Sequence, residues 1–260
     1  MLSDLWRHRS FVLSGALHEL RQRYAGSAMG VLWHVVTPLA QIVVYYAVFS
    51  RFMGARAQAH SDGAYALFLC AGILPWFVFV EAVTRGGASL LANESYLKKL
   101  AVPEAVFVAR SIATSALSLG VYMVLLLLLA LGTGIRPGAP WLLLPMVLLL
   151  FVAFCFGIAL VLSVVTVFFR DVTQVVALVV QFWFWLTPVV YDATALGPRL
   201  TEVMHWNPVT PFILGVRGLL VEGTLPSAGS WLAMAAWAGS LSIAGALMIR
   251  RLRSDLRDAL

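Results

Sequence analysis

Charged side chains are scarce in this sequence. Of its 260 residues only 12% are Asp, Glu, Lys or Arg, while 61% are hydrophobic. A soluble globular domain carries roughly 25% charged residues. Too few polar side chains exist to cover a surface in water, so lipid is expected to cover it, and length sets no domain count in the usual way. Cysteine is nearly absent as well. Cys70 and Cys155 sit far apart inside apolar runs. That excludes a disulfide framework or zinc cluster and leaves two small buried hydrophobes.

Other absences exclude whole function classes. The only lysines are Lys98 and Lys99, and neither follows a glycine. A P-loop needs Gly-Lys-Ser/Thr to cradle phosphates, so this chain holds none. If ATP drives it, another chain carries the ATPase. Glu81 is the only carboxylate in the second apolar run, which is too little for a proton relay. His8, His18, His34, His60 and His205 are scattered, and no two form a metal-ligand pair on one helix face. No Ser and His spacing favours a nucleophile with its base. Arg7, Arg9, Arg21 and Arg23 interrupt the first 30 residues, so no cleavable leader is expected and the N-terminal segment is expected to be retained.

What is present is a series of long apolar runs. A helix needs about 20 apolar residues to cross the hydrocarbon core. Six runs qualify, at about 31–52, 65–83, 105–131, 141–169, 172–190 and 230–249. They are too long and too uniformly apolar for barrel strands. The expected fold is therefore an all-α polytopic membrane protein with six transmembrane helices. With the N-terminus in the cytoplasm, only Arg51, Arg56, Arg136, Arg199 and Arg217 of the 18 Lys and Arg residues fall outside. The positive-inside rule favours that orientation. It also accounts for most of the +6 net charge without any nucleic acid.

The segment before the first run reads differently. Leu2, Leu5, Trp6, Leu13, Leu17, Leu20 and Tyr24 recur near helical spacing, with Asp4, Arg7, His8, Glu19 and Arg21 largely off that stripe. This predicts an amphipathic helix on the cytoplasmic interface, or alternatively a basic leader of no special role. Residues 1–29 form that unit, and 30–260 form the transmembrane domain. The loop 85–104 is polar and long enough for a short helix. The stretch 191–229 contains an apolar piece, 209–221, too short to span and broken by Pro208, Pro211, Gly215 and Gly218. It predicts a re-entrant or interfacial hairpin.

Aromatic residues crowd the runs. Trp33, Tyr45, Tyr46 and Phe49 belong to the first, Trp76, Phe77 and Phe79 to the second, and Phe182, Trp183, Phe184 and Trp185 are consecutive in the fifth. Interfacial anchoring explains Trp33 and Trp141. Four in a row must face several directions. Ordinary packing and the lining of a pore for sugar rings are both open on residue chemistry.

Four stretches together resemble the ABC-2 type permease family, and within it the polysaccharide and polyol-phosphate exporters. The first run opens on Arg21-Gln22-Arg23-Tyr24-Ala25-Gly26-Ser27-Ala28-Met29-Gly30-Val31-Leu32-Trp33, with Pro38 following. Thr37 stands where the family often has Asn. The loop reads Asn93-Glu94-Ser95-Tyr96-Leu97-Lys98-Lys99-Leu100-Ala101-Val102-Pro103. Then come Phe168-Phe169-Arg170-Asp171-Val172, Gln181, Thr187-Pro188-Val189-Val190-Tyr191, Trp206-Asn207-Pro208-Val209-Thr210-Pro211 and Arg217. Order and spacing carry the likeness over nearly the whole chain.

The resemblance implies a homodimer in a bacterial inner membrane, with both termini cytoplasmic. It implies two ABC ATPase subunits, which would hold ATP and Mg, while this chain needs no cofactor and is not itself an enzyme. It implies that Asn93, Glu94, Tyr96, Lys98, Lys99 and Pro103 couple to the ATPase. Arg170 and Asp171 are expected to cap helices at a tight turn or to join that coupling surface. Asn207, Pro208, Pro211 and Arg217 would belong to a periplasmic gate over about 193–222. An undecaprenyl-linked polysaccharide of O-antigen type would be admitted near Arg21, Arg23, Tyr24 and Trp33. Guanidiniums chelate phosphate well, although lipid headgroup anchoring is an equal role for that pair. The pore would be lined by Tyr45, Tyr46, Phe49, Phe182, Trp183, Phe184 and Trp185. Capsule or teichoic-acid polymer, or a drug or lipid, is the alternative cargo. A membrane transferase would need a clustered site that the sequence lacks, and a channel would work without an ATPase.

Overall fold

The computed structural model describes residues 1–52, 62–99, 102–135, 137–192, 197, 204 and 206–259, and among these it is helical with no strand. Two helices, α1 (Leu2–Arg7) and α2 (Arg9–Gln22), precede a tight turn at Gly30–Leu32 and α3 (Trp33–Phe52). Next come α4 (Asp62–Gly87), the short α5 (Ser89–Ala92) and α6 (Glu94–Lys99), and α7 (Glu104–Gly132). Then follow α8 (Leu144–Phe168), α9 (Val172–Leu186), α10 (Thr210–Arg217), α11 (Ala228–Arg251) and α12 (Arg253–Ala259).

Among the described residues, four helices are long and apolar enough to cross a membrane: Ala64–Gly87, Glu104–Gly132, Ala139–Phe168 and Ala228–Arg251. The expected first and fifth spans correspond to shorter apolar stretches, Gly30–Tyr45 and Val172–Leu186. The fifth helix stops four residues before the expected Val190. Thr187 is extended, as a residue before proline tends to be, and Pro188 follows.

Helix α4 is the central element. Leu67, Leu69, Ile73, Leu74 and Phe79 are all buried, with α7 and α8 against it. The most extensive helix pairing is α8 with α11. Gly157 makes that approach possible, because a Cβ there would meet Ser242 N at 2.6 Å and Leu241 Cβ at 2.8 Å. Small residues serve helix packing in lipid this way.

The N-terminal stripe divides in two. Ala16 and Leu20 are buried on the side facing α7, and the rings of Phe11 and Phe107 meet edge-on at 5.9 Å. Trp6, Leu13 and Leu17 stay exposed. The apolar piece at 209–221 does not lie on a surface. Phe212, Ile213, Val216, Leu219 and Leu220 are buried, and the Phe212 ring stacks on Phe154 at 5.0 Å. A π turn over Gly218–Glu222 ends this segment, and Gly223 reverses the chain at φ 65°.

Gly157→Val should wedge α8 from α11. Overpacking of this kind costs roughly 1–3 kcal/mol. Thermal unfolding of the purified chain in detergent checks it, and a melting temperature equal to the parent's would refute the close approach.

Candidate functional site

The helices place two polar centres at opposite ends of the bundle. One end carries the start of α3, the loop between α4 and α7, the turn before α9 and the last turn of α11. The other carries the end of α9 and all of α10.

At this second end, Arg217 is 1% exposed. No carboxylate pairs with it among the described residues. Its guanidinium instead donates to four carbonyls, those of Phe68 (3.1 Å), Pro188 (2.6 Å), Tyr191 (3.2 Å) and Val189. It also lies 3.8 Å over the Phe68 ring. The chain after α9 cannot continue as helix while three of its carbonyls face this cation. A Cβ on Gly72 would strike both Val189 O and the guanidinium, so glycine there admits the cluster. Burial is the largest influence on Arg217 and lowers its pKa to about 10, which leaves it charged at neutral pH.

Asn207 joins the same two segments. Its Oδ1 accepts from Trp183 Nε1 (3.1 Å) and from Val209 N (3.0 Å). Its Nδ2 donates to Leu186 O (3.1 Å) and Thr187 Oγ1 (2.9 Å). Every hydrogen-bonding position of the amide is used. Pro208 follows in the turn, and Pro211 sits in the first turn of α10, where its missing N–H costs nothing. Arg217 and Asn207 thus fasten α10 to the end of α9. The remainder of the expected gate, residues 193–196, 198–203 and 205, lies outside the described residues.

The four consecutive aromatics divide between two faces. Trp183 and Phe184 pack inward, with Trp183 edge-on to Phe79 at 5.5 Å and Phe184 edge-on to Trp76 at 5.7 Å. Phe182 and Trp185 are exposed, in line with Val175, Leu178 and Val179. Helix α3 presents a similar exposed face through Leu39, Val43 and Val44. Trp33 and Tyr45 share a groove of about 360 Å³ on α3 with Gln41 and Val44, and Trp33 Nε1 donates to Ser27 Oγ at 2.9 Å. The side chains of Tyr46 and Phe49 lie outside the described residues.

At the first end, Arg21 is exposed. Arg23 is not free in the same way. Its Nη1 lies 2.5 Å from Glu81 Oε1, with only 13% of the side chain exposed. The alignment is poor, so Glu81 Oε1 counts no hydrogen bond despite that distance. Tyr24 leans edge-on to His34 at 6.2 Å. The loop residues are turned outward. Tyr96 is exposed, and Lys98 Nζ bonds Glu94 Oε1 at 2.6 Å. Asn93 Nδ2 donates to Ser89 O at 2.7 Å. Lys98, and more weakly Arg170, hold the Glu94 carboxyl below its ordinary pKa, so Arg170 belongs to the same surface. Asp171 sits at the N-cap of α9, but its side chain makes no cap hydrogen bond.

Pro103 precedes α7, whose first residue the sequence reading missed. Glu104 is buried, and its Oε1 accepts from Arg253 Nε and Arg257 Nε, both at 3.2 Å. This ties α12 to the end of the loop. No group of three or more potential metal ligands occurs among the described residues.

Residues 15–221 match the family described as ABC-2 type transporter. The O-antigen export system permease protein RfbA of Klebsiella pneumoniae is 30% identical over 208 residues, 80% of this chain and 78% of that protein. RfbA of Myxococcus xanthus is 26% identical over 248 residues, 92% of this chain and 94% of its own length. The polysialic acid transport protein KpsM of Escherichia coli is 22% identical over 208 residues, 80% of each.

Arg217→Met removes the donor for four carbonyls at once. The expected loss is roughly 3 kcal/mol or more, read as a lower melting temperature in detergent. Arg217→Lys keeps the charge but only three donors, and should fall between. A Met variant as stable as the parent would contradict this role.

Proposed function

Because the chain belongs to the ABC-2 type transporter family, we propose that it is the permease of an exporter for lipid-linked polysaccharide. The observation that carries the proposal is the near end-to-end similarity to an O-antigen export permease, 92% of this chain against 94% of the relative. The cargo is an O-antigen-type glycan on undecaprenyl diphosphate. Similarity to the polysialic acid transport proteins favours capsule polymer as a second reading.

In this reading α3 and α9 complete a set of six spans, and both termini lie in the cytoplasm of a bacterial inner membrane. The basic surface of Asn93, Glu94, Tyr96, Lys98 and Arg170 then faces the cytoplasm and receives a separate ATPase, which holds ATP and Mg. The outward-facing Tyr96 and the ion-paired Lys98 support this, since a docking loop must present its side chains. Residues 1–29 lie along the interface, their exposed Trp6, Leu13 and Leu17 in lipid.

Two copies of the chain meet through the exposed apolar faces of α3 and α9. ATP-driven motion of the loop parts these faces and opens the path. Trp33 and Tyr45 on one side and Phe182 and Trp185 on the other offer aromatic faces to sugar rings. The segment with Asn207 and Arg217 closes the external mouth. Because it is fastened to α9, the mouth moves when α9 moves.

Deleting the gene should trap glycan in the cytoplasm of the host. The intact gene should restore surface glycan, whereas Lys98→Glu with Arg170→Glu should not. Staining of surface and internal glycan reads this out. Unchanged surface glycan after deletion would remove the polysaccharide reading.

A further inference from the structure

Glu19 on α2 faces three guanidiniums and properly bonds none. Its carboxylate oxygens lie 3.7 Å from Arg23 Nη2, 4.0 Å from Arg85 Nη1 and 3.8 Å from Arg110 Nε. All three distances exceed hydrogen-bond length. Nε and Nη2 of Arg23 and Nε of Arg110 are buried and have no acceptor. Orphaned donors of this kind are costly and uncommon in native interiors. The Nε and Nη2 edge of a guanidinium is one of the forks that grip an oxyanion in two parallel bonds. On Arg23 that edge is open, while Glu81 takes Nη1.

The three arginines come from three elements, the end of α2, the end of α4 and the first turns of α7. Three positive charges meet two carboxylates, Glu19 and Glu81, so one positive charge is left over. Arg110 is held across α2 at Gly15, where a Cβ would meet its Cδ at 2.7 Å. A cavity of about 640 Å³ opens beside Arg110 and is lined also by Ser14, His18, Gln22 and Tyr96. A carboxylate offers two oxygens and one charge, too few to bond three guanidiniums together. A diphosphate offers more oxygens and more charge, and the cavity reaches the cluster at Arg110.

We propose that Arg23, Arg85 and Arg110 form a diphosphate site, and that Glu19 is its built-in competitor in the resting chain. This rests on the export reading only for the source of the diphosphate, the polyprenyl carrier. The diphosphate displaces Glu19 and takes up the three orphaned donors. Glu19 then releases Arg85 on α4 and Arg110 on α7, and the diphosphate takes over the link from these helices to Arg23, which keeps Glu81. Loading the site thereby exchanges a side-chain tie on the interface helix for one made through the ligand.

The test uses the purified full chain in uncharged detergent, with inorganic pyrophosphate and farnesyl diphosphate as probes. Both should bind the parent chain. Glu19→Gln should bind roughly tenfold more tightly, because a like charge leaves the site, while its melting temperature falls through lost ion pairs. Stability and affinity moving in opposite directions is an outcome that a purely structural role does not give. Arg110→Gln should weaken binding roughly tenfold or more. Arg85→Gln, at a half-exposed position, provides the same test if the Arg110 variant fails to fold. Unchanged or weaker binding by Glu19→Gln would overturn the competitor. Full displacement of the probes by phosphatidylglycerol nanodiscs would overturn the diphosphate assignment in favour of a phospholipid headgroup. Absence of binding by every variant would overturn the site and leave the export reading, which glycan staining tests, untouched.

Discussion

A buried charge in a chain this apolar has no water to fall back on. Each ionised group must find its counter-charge or its dipoles within the protein, because an unpaired one costs several kcal/mol or more. The two ends of the bundle meet that constraint in different ways. Arg217 stays charged and is solvated by backbone carbonyls and a phenyl ring, with the carboxylates of Asp192 and Glu222 acting on it from a distance. Glu104, buried at the other end, is shared by Arg253 and Arg257. Between these ends most buried side chains are apolar, and the buried hydroxyls of Thr114, Ser115, Ser118 and Ser163 donate to carbonyls of the preceding turn of their own helices.

The distribution of tight and loose packing follows. The pair α8 and α11, brought together at Gly157, and the buried α4 form the most tightly packed part of the fold. Helices α3 and α9 lie at its edge with apolar faces uncovered. Helix α9 is also fastened to α10 through Asn207 and Arg217. The polar groups that fasten it are spent on its terminus, leaving its exposed face apolar.

Much of this was legible in the sequence, for a physical reason. Hydropathy over a window of 20 residues reports on a helix directly, so the runs at 65–83, 105–131, 141–169 and 230–249 correspond to long helices. The short stretch at 209–221, broken by prolines and glycines, already implied a segment that could not cross. Four aromatics in succession had to face more than one way, and they do. The end of α9 falls short of the expected position because Val189 and Val190 read as apolar, whereas their segment is held in a non-helical turn by Arg217, some 30 positions further on. The cluster of Glu19, Arg85 and Arg110 left no local trace, since its members are separated by dozens of residues. The tie between Glu104 and α12 was hidden for the same cause. Arg23 was legible as a cation, but its partner Glu81 was not.

The central claim is that the two polar centres stand on opposite sides of a membrane. Both native thiols, Cys70 and Cys155, are buried, so introduced cysteines can be read against a quiet background. Tyr96→Cys and Trp206→Cys place a thiol at an exposed position of each end. The direct measurement is labelling with a membrane-impermeant maleimide, before and after permeabilising the cells. The account predicts that Trp206→Cys reacts in intact spheroplasts and Tyr96→Cys only after the membrane is opened. Equal labelling of both in intact spheroplasts would place the two centres on one side and contradict it.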